Sequence, residues 1–203
     1  MRNNEINFSE RELVQALINY TVGVVSEGEL YCFNHIELYH DFFPSGTLTE
    51  KEKIQYVWES FFSLIKRDEP LYNQIFILIQ KCYQDGLIDL DRYANATCIG
   101  MRDVLYFEQI LVYMLRAIAP KYNRHYNSGI LRLLEELEKR ALSSVKEERK
   151  ADIRWMMYEL QQARVERNRF VYDHADNGNF LKSHINAYFI CTIIYDIIKK
   201  VNK

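Results

Sequence analysis

Apolar side chains recur at intervals of three and four residues along most of this chain, and the stretches in which they do so predict its helices. Leu13, Val14, Leu17, Ile18 and Val22 follow Ser9 and Glu12, a spacing that makes a capping box, so a first helix is expected from about 10 to 26. A second is expected from about 29 through ELYCFNHIELYHDFF, until Pro44 and Gly46 stop it. Thr49 and Glu52 repeat the capping box and open a third helix to about Lys66. Pro70 suits a first helical turn, and Asp85-Gly86 closes the fourth helix that it opens. Asp89 to Ala119 reads as one long helix, or as two meeting near Gly100, stopped by Pro120. Beyond the polar KYNRHYNSG, the positions of Ile130, Leu133, Leu134, Leu137 and Ala141 predict another helix. SSVKEERK reads as a solvated bend, and Ala151 to about Tyr172 as the penultimate helix. ADNGN at 175–179 has turn chemistry, and a last helix is expected from about Phe180 to Val201.

No strand-like run, repeat or low-complexity tract interrupts this pattern. With only 7 Gly and 3 Pro in 203 residues, 48% apolar and 27% charged, the composition suits long helices around one substantial core. The expected fold is an all-α, single-domain helical bundle of about six to eight helices spanning 1–203. The most apolar stretch, AYFICTIIYDIIKK at 187–200, is shorter than the roughly 20 residues a bilayer requires and contains Asp196, so it is expected as a buried core helix. Aromatics reach 14%, with 15 Tyr and 11 Phe spread along the helices, as in packing with a wet tip.

Charge and cysteine usage narrow the function classes. A formal net charge of -2 excludes a generic polyanion binder, so contact with nucleic acid requires a local patch. Cys32, Cys82, Cys98 and Cys191 form no CxxC pair, and the polar MRNNEINFSERE carries no signal-peptide core; four reduced thiols in a cytoplasmic protein are expected. His35 and His40 are five apart rather than at the i, i+4 spacing of a helical metal pair, so neither a metal site nor a cofactor is expected. His125 reads as a loop residue, and no Gly-rich phosphate loop or Ser-His-Asp arrangement is present.

The chemistry concentrates in ARVERNRFVYDH, residues 163–174. Ile153, Met157, Leu160, Arg164, Arg167, Val171 and His174 follow spacings of three and four, so one stripe of the penultimate helix turns from apolar to cationic. Arg167 and His174 are seven residues apart, about 10 Å along a straight helix at its 1.5 Å rise. Arg169 has Asp173 four residues on as a possible surface partner, whereas Arg167 has only Ala163, Arg164, Phe170 and Val171 around it. A guanidinium among apolar neighbours wants a distant carboxylate, a partner chain or a phosphate.

Arg167-Asn168, RFVYD and then His174, placed ahead of a Gly-Asn turn and one final helix, resemble the HEPN superfamily of helical ribonucleases and toxins. The likeness covers about 128–203 at the level of the motif and the preceding residues through helical class. It implies metal-independent endoribonuclease activity, in which the 2'-hydroxyl attacks the adjacent phosphate and leaves a 2',3'-cyclic phosphate and a 5'-hydroxyl. His174 would then move a proton, Arg167 would hold the scissile phosphate, and Asn168 would orient a partner or the nearby backbone. Arg164, Arg169 and Tyr172 are the expected RNA contacts, Tyr172 by stacking on a base, although core packing is the commoner use of such a residue. Arg169 also stands at an allowed spacing from His174, so either arginine fits the motif. The resemblance further implies a homodimer with two motifs across a shared cleft, and a toxin or phage-defence setting with a possible antitoxin partner.

Two other readings stay open. Cations and a histidine at a helix C-terminus also serve the macrodipole and cap carbonyls, with no site at all. A non-catalytic RNA- or protein-binding module, or a dimeric scaffold, would use the same helices without turnover. His184, early in the last helix, can enter the same cleft, but a polar helix face is its simpler reading.

Overall fold

A computed structural model describes residues 9–24, 42–44, 46, 48–67, 69–85, 101–118, 129–173 and 177–201. Within them are seven α-helices and no strand: α1 Glu10–Val24, α2 Glu50–Ile65, α3 Glu69–Gln84, α4 Met101–Ile118, α5 Ile130–Ser143, α6 Lys150–Asp173 and α7 Asn177–Val201. The all-α bundle expected from the pattern is what the chain forms. The helix expected from about 29 lies outside the described residues, as does the stretch between Asp85 and Met101. SSVKEERK is a turn at Ser144 followed by a single 3₁₀ turn, Glu147–Arg149. The last helix starts at Asn177, so the segment read as turn chemistry is already helical over 177–179.

Local chemistry fixes where the first helices start. At α1, the Ser9 N–H donates to Glu12 Oε2 at 2.7 Å and the Glu12 N–H returns to Ser9 Oγ at 3.3 Å. Thr49 and Glu52 make the same reciprocal pair ahead of α2, and each box satisfies donors that the first helical turn leaves open. Glu10 then ties three helices together: Lys66, just past α2, reaches its Oε1 at 2.7 Å, and the Tyr72 hydroxyl of α3 donates to its Oε2 at 2.6 Å.

The helices enclose one core that residues on both sides of position 128 share. Its axis is α7, which packs against α6, α4, α2, α1 and α5. Every residue from Ala187 to Ile194 is buried, and a helix apolar on all faces must have neighbours on all faces. Thr192 in this stretch is satisfied within the helix by donating to the Tyr188 carbonyl at 3.0 Å. The expectation of a buried core helix therefore holds over 187–194, with Lys200 exposed at its end, and no helix among the described residues is long and apolar enough to cross a membrane.

Trp58 joins α2 to this axis and to α1. Its ring packs edge-on against Phe189 at 5.6 Å and Tyr188 at 6.2 Å. Its indole N–H donates to Thr21 Oγ1 at 3.0 Å, and that hydroxyl donates to the Leu17 carbonyl at 2.7 Å. All of these groups are buried, so the indole N–H has no access to water as an alternative acceptor. Thr21→Val keeps the shape of the side chain and strands that N–H, and we expect it to cost about 1–3 kcal/mol. Urea unfolding, followed by the far-ultraviolet signal, measures the loss, and the same change made on a Trp58→Phe background should cost clearly less.

Candidate functional site

Three helices meet over an aromatic floor at one end of the bundle. Phe180 of α7 is its centre, with Phe170 of α6 at 5.6 Å, Phe107 of α4 at 6.2 Å and the His184 ring at 4.1 Å. The Tyr188 hydroxyl donates to the Phe107 carbonyl at 2.7 Å, which pins α4 to α7 at this level. Glu108, the residue after Phe107, is thereby held facing α6.

Arg167 approaches from α6. At about 100° per residue it points to the same side as Met156, Leu160 and Ala163, all buried, so the helix drives its guanidinium toward α4. Its Nε donates to Glu108 Oε2 at 3.1 Å and its Nη1 to Asn168 Oδ1 at 3.2 Å. The two charged side chains are 25% and 20% exposed, so the pair sits at the edge of the core rather than free in water. The distant carboxylate that the lone guanidinium called for is Glu108. A guanidinium has five N–H donors, and Nη2 has no hydrogen-bond partner among the described residues.

The other arginines differ in kind. Arg169 lies about 200° around the helix from Arg167, on the outer face, and pairs with Glu166 at 3.1 Å, one turn before it, where the sequence had offered Asp173. Arg164 shares the face of Arg167; its Nε donates to Gln161 Oε1 at 3.0 Å, and it makes no ion pair among the described residues. Of the two arginines that fit the spacing to His174, only Arg167 faces the helix junction. Tyr172 is 73% exposed, which corrects the expectation of core packing: it stands about 140° from Arg167, beside Tyr158 and Val165 on the outward side. His174 lies outside the described residues, and α6 runs to the residue before it.

His184 is the second correction. It is 1% exposed, between Phe180 and Tyr188, and not on a polar face. Its Nδ1 lies 3.0 Å from the Phe180 carbonyl, and since a carbonyl only accepts, the neutral ring carries its proton on Nδ1 and leaves a lone pair on Nε2. Burial lowers its pKa from 6.5 to about 4, and the nearby Arg167 charge adds to this against the opposing Phe180 hydrogen bond. The imidazole is therefore neutral at physiological pH.

Glu108 is the residue that motif reading missed. For Glu108 there was a signal: it is the only carboxylate in the apolar run from Val104 to Ile118. Elsewhere, a small apolar pocket between α2, α4 and α7 is lined by Phe61, Ile65, Met114, Cys191 and Tyr195 among others. Burial pushes the Cys191 thiol well above its ordinary range, which keeps it protonated and inert. Among the described residues no group of three His, Cys, Asp or Glu side chains is placed to hold a metal ion; His35 and His40 lie outside them, as do Cys32 and Cys98. Compared with models of known families, with curated proteins and with solved structures, the chain matches none.

The buried imidazole makes stability depend on pH with a definite sign. Below pH 6.5 the unfolded chain protonates this ring while the folded one does not until about pH 4, so the unfolded state binds more protons in that window and stability falls as pH falls. The loss attributable to His184 between pH 6.5 and 4 is roughly 3 kcal/mol. Denaturant titrations across this range measure it, and His184→Phe should flatten that part of the slope whatever it does to stability at pH 7.

Proposed function

We propose that this chain is a metal-independent endoribonuclease of the HEPN type, acting as a homodimer. The observation that carries the reading is the posture of Arg167. It stands near the end of the penultimate helix, turned inward over the junction with α4 and α7, anchored through Nε and Nη1, with its Nη2 unpartnered among the described residues. A planar donor edge on a fixed guanidinium suits the non-bridging oxygens of a phosphodiester. In the proposed reaction the 2'-oxygen bonds to phosphorus, the bond from phosphorus to the 5'-oxygen breaks, and the 2'-proton is passed on as the leaving oxygen gains one. His174 carries a proton at one of these oxygens, near neutral pH as imidazole allows, and its counterpart in a second copy serves the other. Arg167 offsets the charge that builds on the phosphoryl oxygens, and Arg164, whose charge no described carboxylate cancels, draws the strand in. The resemblance also suggests the setting, a toxin held by an antitoxin partner or a phage-defence nuclease.

A second reading, a non-catalytic RNA- or protein-binding module or scaffold, draws on two other observations. The Arg167–Glu108 pair is electrically neutral as it stands. The outer face of α6 exposes Tyr158, Val165 and Tyr172 at successive heptad positions, by 59%, 36% and 73%, as a face for another helix would.

Purified wild type, Arg167→Ala and His174→Ala proteins incubated with end-labelled RNA in EDTA separate the two. The expected outcome is cleavage by wild type alone, with cyclic phosphate at the new 3' ends and activity at least 100-fold lower in either variant, in line with the loss of a general acid-base or oxyanion-stabilising group. Binding without cutting by all three proteins, each folded, would favour the module.

A further inference from the structure

The contact that completes Arg167 comes from another helix, and its geometry assigns Glu108 a part in the proposed reaction. Two of the three nitrogens of the Arg167 guanidinium donate within the protein, Nε to Glu108 Oε2 and Nη1 to Asn168 Oδ1. A carboxylate could have met the guanidinium through its terminal nitrogens, where it would occupy the place of a phosphate. Glu108 instead takes Nε, which leaves Nη2 clear among the described residues.

The backbone behind Glu108 is itself fixed. Phe107 packs on Phe180, and its carbonyl accepts from the buried Tyr188 hydroxyl. The path from the centre of α7 to the guanidinium is thus Tyr188, Phe107, Glu108, Arg167, and each link is a hydrogen bond, an ion pair or a peptide bond at a helix contact. An arginine side chain left to itself samples many rotamers, and holding it in one geometry is what a phosphate clamp requires.

We propose that Glu108 is a positioning residue: it anchors Arg167 through Nε so that the Nη2 edge of the guanidinium is presented to a phosphate of the RNA backbone. This rests on the nuclease reading above for the reaction and on the observed ion pair for the posture. Because Glu108 cancels one charge, its role is to give direction rather than attraction. Its removal should therefore damage turnover while leaving affinity unharmed or improved.

Two measurements test this, one of them independent of turnover. In steady-state cleavage of a short single-stranded RNA, Glu108→Ala is expected to lower kcat about 10- to 100-fold with KM within about threefold of wild type, because misplacing a positioned group costs on this scale. Glu108→Gln, which keeps an acceptor for Nε, should recover part of that loss. A merely structural Glu108 would give lower thermal stability with kcat of the folded protein unchanged, and an inhibitory one would give a higher kcat; either overturns the proposal. Separately, the Arg167 side-chain Nε–H resonance in protein with 15N-labelled arginine, assigned by its loss in Arg167→Lys, should be sharp and slow to exchange in wild type. It should broaden or exchange faster in Glu108→Ala, and shift in wild type on adding a 2'-deoxy oligonucleotide. An unchanged resonance in Glu108→Ala overturns the anchoring. Absence of any cleavage by wild type, with the resonance behaving as expected and shifting with the oligonucleotide, overturns the nuclease reading and leaves Glu108 as the anchor of a phosphate-binding arginine; the same absence with no shift overturns both.

Discussion

The central stretch of α7 is buried on every side, and this one constraint organises the bundle. A surface helix needs a neighbour along one stripe, but a helix whose residues from Ala187 to Ile194 are all enclosed needs a ring of them. α1, α2, α4, α5 and α6 supply that ring, and their amphipathic faces are the complement of its uniform one. The few polar groups in this interior are settled locally, Thr192 on the carbonyl four residues before it and Tyr188 on the carbonyl of Phe107. Such an arrangement leaves little choice in how α4 and α6 are placed relative to each other, since both are packed against the same rod.

The candidate site follows from that placement. Toward the end of α6 the core-facing stripe of Met156, Leu160 and Ala163 reaches Arg167, where an apolar residue would extend the core. Burying a guanidinium requires a partner, and the same end of α7 brings α4 within reach with Glu108. The polar pair thus occupies the rim of a hydrophobic junction, and His184 sits below it as a neutral ring in an environment that burial and a neighbouring cation both keep uncharged. The properties of the site come from being at an edge: close enough to the core to be fixed, and open enough for one side of Arg167 to meet something else.

Helix positions were legible in the sequence because they rest on local chemistry. Capping residues three apart, Pro70 in a first turn and the apolar intervals of α5 and α6 each act within a turn or two of the chain. The register of Arg167 on the core face was legible for the same reason. What the sequence left open depended on contacts far apart along the chain. Glu108 and Arg167 are 59 positions apart, and no periodicity relates them. His184 looked polar because residue type suggests an outer face, yet its register on α7 is that of the buried Phe180, Leu181 and Tyr188, which turns it into the core. Tyr172 looked like a packing residue because tyrosines usually are, although its angle on α6 turns it outward. The turn expected at 177–179 yielded to the helix that Phe180 and Leu181 extend into the core.

Central placement of α7 also has a consequence for how the chain is made. It is synthesised after the five helices that pack against it, at the ribosome's roughly 5–20 residues per second, so for several seconds those helices exist with their inner surfaces uncovered. Contacts of α1 with α2 and of α4 with α5 can form early, but none of them replaces the rod. The faces that α7 will cover therefore stay open until it has emerged, and transiently exposed apolar surface of this kind favours aggregation.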